Sequence, residues 1–133
     1  MSDVSFVRCT SYDSPEIDTA VKSAVDHLGG ISRFVKPGQR VLLKPNLLSA
    51  REPGKRVTTD PAVVGAVARM VLDAGGRPLI ADSPALDPFG RVAAKTGMAD
   101  TARELGIELR ELADSIPVPT PDGSLFKRLE IAR

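Results

Sequence analysis

Lys44, Asn46, Asp82 and Ser83 are the residues whose types and positions point first to chemistry. Each cluster follows a short apolar run: Val41, Leu42 and Leu43 give way to Lys44-Pro45-Asn46, and Pro78, Leu79, Ile80 and Ala81 end in Asp82-Ser83-Pro84. A lysine that closes a hydrophobic strand needs partners, either a ligand or backbone carbonyls, because a partly buried ammonium is costly alone. Asp82 and Ser83 admit two readings. A carboxylate and a hydroxyl at a strand end suit a metal or a sugar, and the same residue types favour turns because their side chains bond to nearby backbone.

The loop over 47–59 adds Arg51, Lys55 and Arg56, then Thr58, Thr59, Asp60 and Pro61. Asp60 before Pro61 makes a helix cap, while the amides of that first turn are alternatively open to an anion. With Lys44 at the strand end, this loop and turn form a cradle for a carboxylate or phosphate, and the ligand-binding candidates as a whole are Lys44, Asn46, Thr58, Thr59, Asp82 and Ser83. The loop lacks the glycine spacing of the P-loop or the dinucleotide fingerprint, so an exposed basic loop ahead of an ordinary capped helix stands as the other reading.

These residues need a frame. The pattern from 40 to 84 reads as strand, long loop, helix, strand, the parallel crossover unit. In parallel sheets ligands gather beyond the carboxyl ends of the strands, where both polar clusters fall. Helices are expected over 15–28 and 61–74, the second apolar nearly all round apart from a stripe of Gly65, Arg69 and Asp73. The stretch 87–105 is helical in composition but broken by Gly97, which predicts two short helices meeting at 96–98. Strands are expected at 5–9 and 107–112, with Cys9 as a small buried hydrophobe on the first. Repeated proline after Ser115 bars a central strand; Pro121-Asp122-Gly123 reads as a turn, and 126–131 as a last strand within a proline-rich tail at 116–133. The expectation is one α/β domain over 1–133, with a mainly parallel sheet and helices packed on its faces.

Composition removes several function classes. At 133 residues the chain reads as one domain able to bury roughly two thirds of its unfolded surface. Eighteen basic residues against 17 acidic give a net charge of +1, too little to hold nucleic acid or an anionic membrane. Tryptophan is absent, which weakens base stacking further. The first residues lack a signal pattern and no apolar run reaches bilayer length, so a cytoplasmic protein is expected. Cys9 is the single cysteine and His27 the single histidine, so no cysteine-bound metal, cluster or histidine pair is expected within this chain.

The run Val41-Leu42-Leu43-Lys44-Pro45-Asn46-Leu47, then Thr58-Thr59-Asp60-Pro61, Asp73-Ala74-Gly75-Gly76 and Ala81-Asp82-Ser83, resembles the family catalogued as domain of unknown function 362, whose members are often labelled iron-sulfur cluster-binding proteins. The resemblance is specific from 40 to 84 and looser to the chain's end. It singles out Lys44, Pro45, Asn46, Thr58, Thr59, Asp82 and Ser83 as signature positions without an assigned catalytic role. Family members continue into a second half with a further lysine-rich signature, and many add a cysteine-rich ferredoxin-like segment. The resemblance therefore implies that this chain corresponds to the N-terminal half, and that any iron-sulfur cluster belongs to the C-terminal part. Two functional classes follow: half of a ligand or redox site in an iron-sulfur-linked protein, or a non-catalytic binding or assembly module. A half-domain leaves sheet edges and an apolar helix uncovered, so self-association as a homo-oligomer is expected.

Overall fold

The computed structural model describes residues 3–84 and 86–132. Three parallel strands form its sheet in the order β1 (Arg40–Leu43), β2 (Arg77–Asp82), β3 (Glu108–Glu111), with β2 in the centre. The crossovers carry helix α2 (Pro61–Asp73) between β1 and β2, then α3 (Phe89–Lys95) and α4 (Met98–Leu105) between β2 and β3. Helix α1 (Ser14–Asp26) precedes the sheet and packs along α2. The expected α/β fold with a parallel sheet is what forms. Among the described residues no helix is long and apolar enough to cross a membrane.

Local chemistry explains the boundaries. Asp60 caps α2 by accepting from the Ala62 amide at 3.0 Å, with Pro61 as the first helical residue. Gly75 (φ 76°) and Gly106 (φ 64°) end α2 and α4 in the left-handed conformation that other residues enter at a cost. Gly97 takes the same conformation (φ 79°) and splits α3 from α4, as its place in the sequence predicts.

Register sorts the strand residues onto two faces. Leu43 lies opposite Ile80, and Ile80 opposite Leu109. This row joins Val64 of α2, Val92 of α3, and Met98 and Ala102 of α4 in the hydrophobic core, together with Leu47 from the loop after β1. Helix α2 packs against α1 and α4, and a Cβ on Gly65 would meet Thr101 on α4 at 3.4 Å, an ordinary contact distance. The stripe on α2 is therefore not simply a polar edge. Gly65 is buried at the helix contact, and Arg69 pairs with Asp18 of α1. On the other face of the sheet, Leu42 is 51% exposed.

Two expectations need correction. Residues 5–9 form no strand: they run as irregular chain, with Phe6 91% exposed. They have no ladder partner among the described residues, and the next amides, of Thr10 and Ser11, are taken by the Glu16 carboxylate at 2.7 and 3.2 Å. Cys9 is consequently exposed rather than a buried hydrophobe. The proline-rich segment, for its part, does form a strand. β4 (Ser115–Pro119) pairs antiparallel with β5 (Arg128–Ala132) in a separate two-stranded ribbon. Pro117 and Pro119 are tolerated because β4 has a neighbour on one side only, which keeps the rule against a central strand intact. The Gly123 amide donates to the Thr120 carbonyl at 2.9 Å, closing the expected turn.

Candidate functional site

Parallel pairing of β1 with β2 brings the two polar clusters together at their carboxyl ends. Lys44 Nζ lies 2.9 Å from Asp82 Oδ1 and donates to Asn46 Oδ1 at 2.7 Å. The second Asp82 oxygen accepts from the backbone amide of Leu47. Asp82 is buried, whereas the Lys44 side chain is 52% exposed. Burial alone would raise the Asp82 pKa, but the Lys44 ammonium and the Leu47 and Ser83 amides outweigh it and hold the carboxyl below its ordinary value.

Thus Asp82 acts neither as a plain turn former nor as an open metal ligand. It fixes a loop that starts 38 positions earlier in sequence, at Lys44. That loop is held at two further points. Thr59 Oγ1 donates to the Pro45 carbonyl at 2.5 Å, and Asp87 accepts from the Ala50 amide at 2.9 Å. Lys44, preceding proline, favours extended backbone, and Asn46 then turns in the left-handed region (φ 54°), which asparagine enters more readily than most residues. The reversal drives Leu47 into the core at 1% exposure while Asn46 and Leu48 stay outside.

The result is an open cavity of about 190 Å³ lined by Lys44, Asn46, Leu47, Leu48, Asp82, Ser83 and Pro84. Four of the six candidate residues meet there. Thr59 supports the loop from behind and also borders an apolar hollow with Leu42, Val63 and Val67. Thr58 is half-buried and contributes no side-chain hydrogen bond to the loop among the described residues. The turn into α2 does not present free amides: Asp60 satisfies Ala62, and its carboxylate faces Arg56 at 3.3 Å. The capped-helix reading of that turn is the correct one.

Donors dominate the cavity. An ammonium has three hydrogens, and Asp82 and Asn46 engage two of them. Asn46 accepts through its oxygen and so keeps its amide nitrogen as a donor, and the Ser83 hydroxyl is exposed beside it. Leu48, 53% exposed, supplies an apolar wall together with Pro84.

Sequence reasoning missed Asp87 and the Leu47 amide. Asp87, two residues ahead of α3, reads as helix-start chemistry, and its bond to Ala50 spans 37 positions that no local pattern connects. An iron-sulfur cluster does not fit this chain's residues. Exposed Cys9 donates to the Ser11 carbonyl, and His27 bonds Ser5 at 3.1 Å; one thiol and one imidazole cannot supply a cluster's ligands.

Comparison with known proteins agrees with the motif reading. The chain is similar to thylakoid-associated protein sll1697 of Synechocystis sp. (strain ATCC 27184 / PCC 6803 / Kazusa), being 41% identical over 111 residues, which is 84% of this chain and 35% of that relative. It thus spans about a third of the length of the curated relative it matches. No solved structure matches it. The family described as "Domain of unknown function (DUF362)" matches residues 41–133, which take in β1 from its second residue, the clamped loop, Asp82 and all later strands. The chain belongs to that family.

Proposed function

We propose that this chain is a ligand-binding α/β domain whose site, at the ends of β1 and β2, takes the carboxylate of a small metabolite. The observation that carries this reading is the Lys44 ammonium, oriented by Asp82 and Asn46 with one hydrogen left over. Asp82 cancels one unit of charge, so the pocket favours a singly charged carboxylate over a phosphate dianion. The three donors recognise the carboxylate oxygens, and Leu48 and Pro84 cover an adjoining apolar part. In a longer family member this site would form one half of a larger ligand site, linked to iron-sulfur chemistry by residues outside this chain.

Thermal unfolding tests it. Small carboxylates should raise the melting temperature, and Lys44→Met should abolish the gain. Because Lys44→Met also removes a partner of Asp82, Ser83→Ala serves as the second variant: it should keep the ligand-free melting temperature and reduce the gain. A melting curve unmoved across a panel of carboxylates counts against the site.

A second reading, an assembly module, is favoured by the edge of the sheet's second face, where Leu79 and Ala81 of the central strand are buried but Leu42 of β1 is not. Parallel sheets are almost always covered on both faces, yet Leu42 is 51% and Ile131 46% exposed in a groove bordered by Arg40 and Arg110. Light scattering over a dilution series should then show a dimer, and Leu42→Glu should return it to monomer. A monodisperse wild-type monomer at high micromolar concentration removes this reading.

A further inference from the structure

A second concavity lies on the continuation of the same loop, lined by Ala50, Arg51, Glu52, Lys55 and Lys95, with a volume of about 290 Å³. Basic side chains on a loop are ordinary, and in sequence Arg51 and Lys55 fit that reading as well as an anion cradle with Lys44. The structure adds Lys95, which arrives from the last turn of α3, 40 positions beyond Lys55. Cations from two separate elements therefore converge on one cup. Like charges brought together repel, and they gain most from an anion placed between them.

The nearby acids do not neutralise the cup. Glu52 is its one carboxylate, 3.7 Å from Lys95, with both side chains more than half exposed, the kind of pair that contributes little. Asp87 accepts from the Ala50 amide and faces Arg91 at 3.5 Å. Asp60 caps α2 and faces Arg56, whose guanidinium also stacks over Tyr12 at 4.1 Å and so takes no part. Three cations against one carboxylate leave a local charge of +2 on a chain whose total is +1.

The cup is also built rather than loose. A 3₁₀ turn at Pro53–Lys55 joins its two basic loop residues, with the Lys55 amide donating to the Glu52 carbonyl at 2.9 Å, while Asp87 anchors Ala50 at its rim. We infer that this cup is a second anion site, distinct from the carboxylate cavity, and that it binds a phosphate group. A phosphate monoester carries close to two negative charges at neutral pH, matching the excess, and offers three acceptor oxygens to Arg51, Lys55 and Lys95.

Calorimetric titration of the chain with inorganic phosphate at low ionic strength tests the assignment. Saturable binding is expected, weakened about tenfold or more in the double variant Lys55→Gln with Lys95→Gln, the equivalent of losing one good charge-assisted contact. Lys44→Met should leave phosphate affinity unchanged, whereas it abolishes the effect of carboxylates. These are surface positions, so an unchanged melting temperature of the double variant in phosphate-free buffer confirms its fold. Equal affinity in the wild type and the double variant overturns the assignment, as does loss of phosphate binding in Lys44→Met alone, which would place phosphate in the other cavity.

Discussion

Replacing Asp82 by Asn should destabilise the chain by about 3 kcal/mol at neutral pH, a fall in melting temperature on the order of 10 °C. The aspartate is 4% exposed and joins both strand ends to the loop, accepting from the Leu47 amide and pairing with Lys44. Asparagine keeps the size and one acceptor but loses the charge that balances the ammonium. The figure sits at the lower end for a broken buried pair because Lys44 reaches water and is partly solvated in the variant. Denaturant unfolding of both proteins measures it, and a difference below about 1 kcal/mol, as for an exposed pair, would mean that Asp82 does not hold the loop.

The same residue sets a pH signature. Its folded pKa is lowered, so its contribution is fully present above the unfolded aspartate value of about 4 and disappears as pH falls through the folded value. The stability gap between wild type and Asp82→Asn should therefore close on acidification below pH of about 4 and stay constant above it. The Glu16 carboxyl is also lowered, by the Thr10 amide and hydroxyl and the Ser11 amide, but it is present in both proteins and cancels in the difference.

The second large effect belongs to the core. Ile80 is fully buried on the central strand, between Leu43 and Leu109 and beneath α2, α3 and α4. Ile80→Ala should cost about 4 kcal/mol, combining lost burial with a cavity that close-packed helices cannot collapse around. That is a large share of the total stability of a domain, typically about 5–15 kcal/mol. Leu42→Ala, one strand over and half-exposed, should cost less than about 1 kcal/mol in the monomer. Equal losses at the two positions would mean that Leu42 is covered in solution, as the assembly reading requires.

Much of this arrangement is legible in the residues themselves. The apolar runs ending at Leu43 and Ala81, the capped apolar helix between them and the glycines at its end dictate a parallel crossover, and that crossover is what places Lys44 beside Asp82. Gly97 likewise marks the break between α3 and α4. What sequence cannot supply is pairing at a distance. Residues 5–9 carry strand-forming residue types but pair with no strand among the described residues, because local propensity does not specify a neighbour. Asp82 and Thr59 look like turn and loop residues until the fold shows the amide and carbonyl they hold, Leu47 and Pro45. The convergence of Lys95 on Arg51 and Lys55 is invisible for the same reason.

The central claim, a carboxylate site at the strand ends, is tested most directly by an NMR titration that follows backbone amides as a small carboxylate is added. The account predicts saturable shifts concentrated at Asn46, Leu47, Leu48 and Ser83, absent in Lys44→Met and weakened in Ser83→Ala. Shifts that never saturate, or that scatter over surface cations remote from the site such as Lys22 and Arg103 while Asn46 and Ser83 stay still, would contradict it.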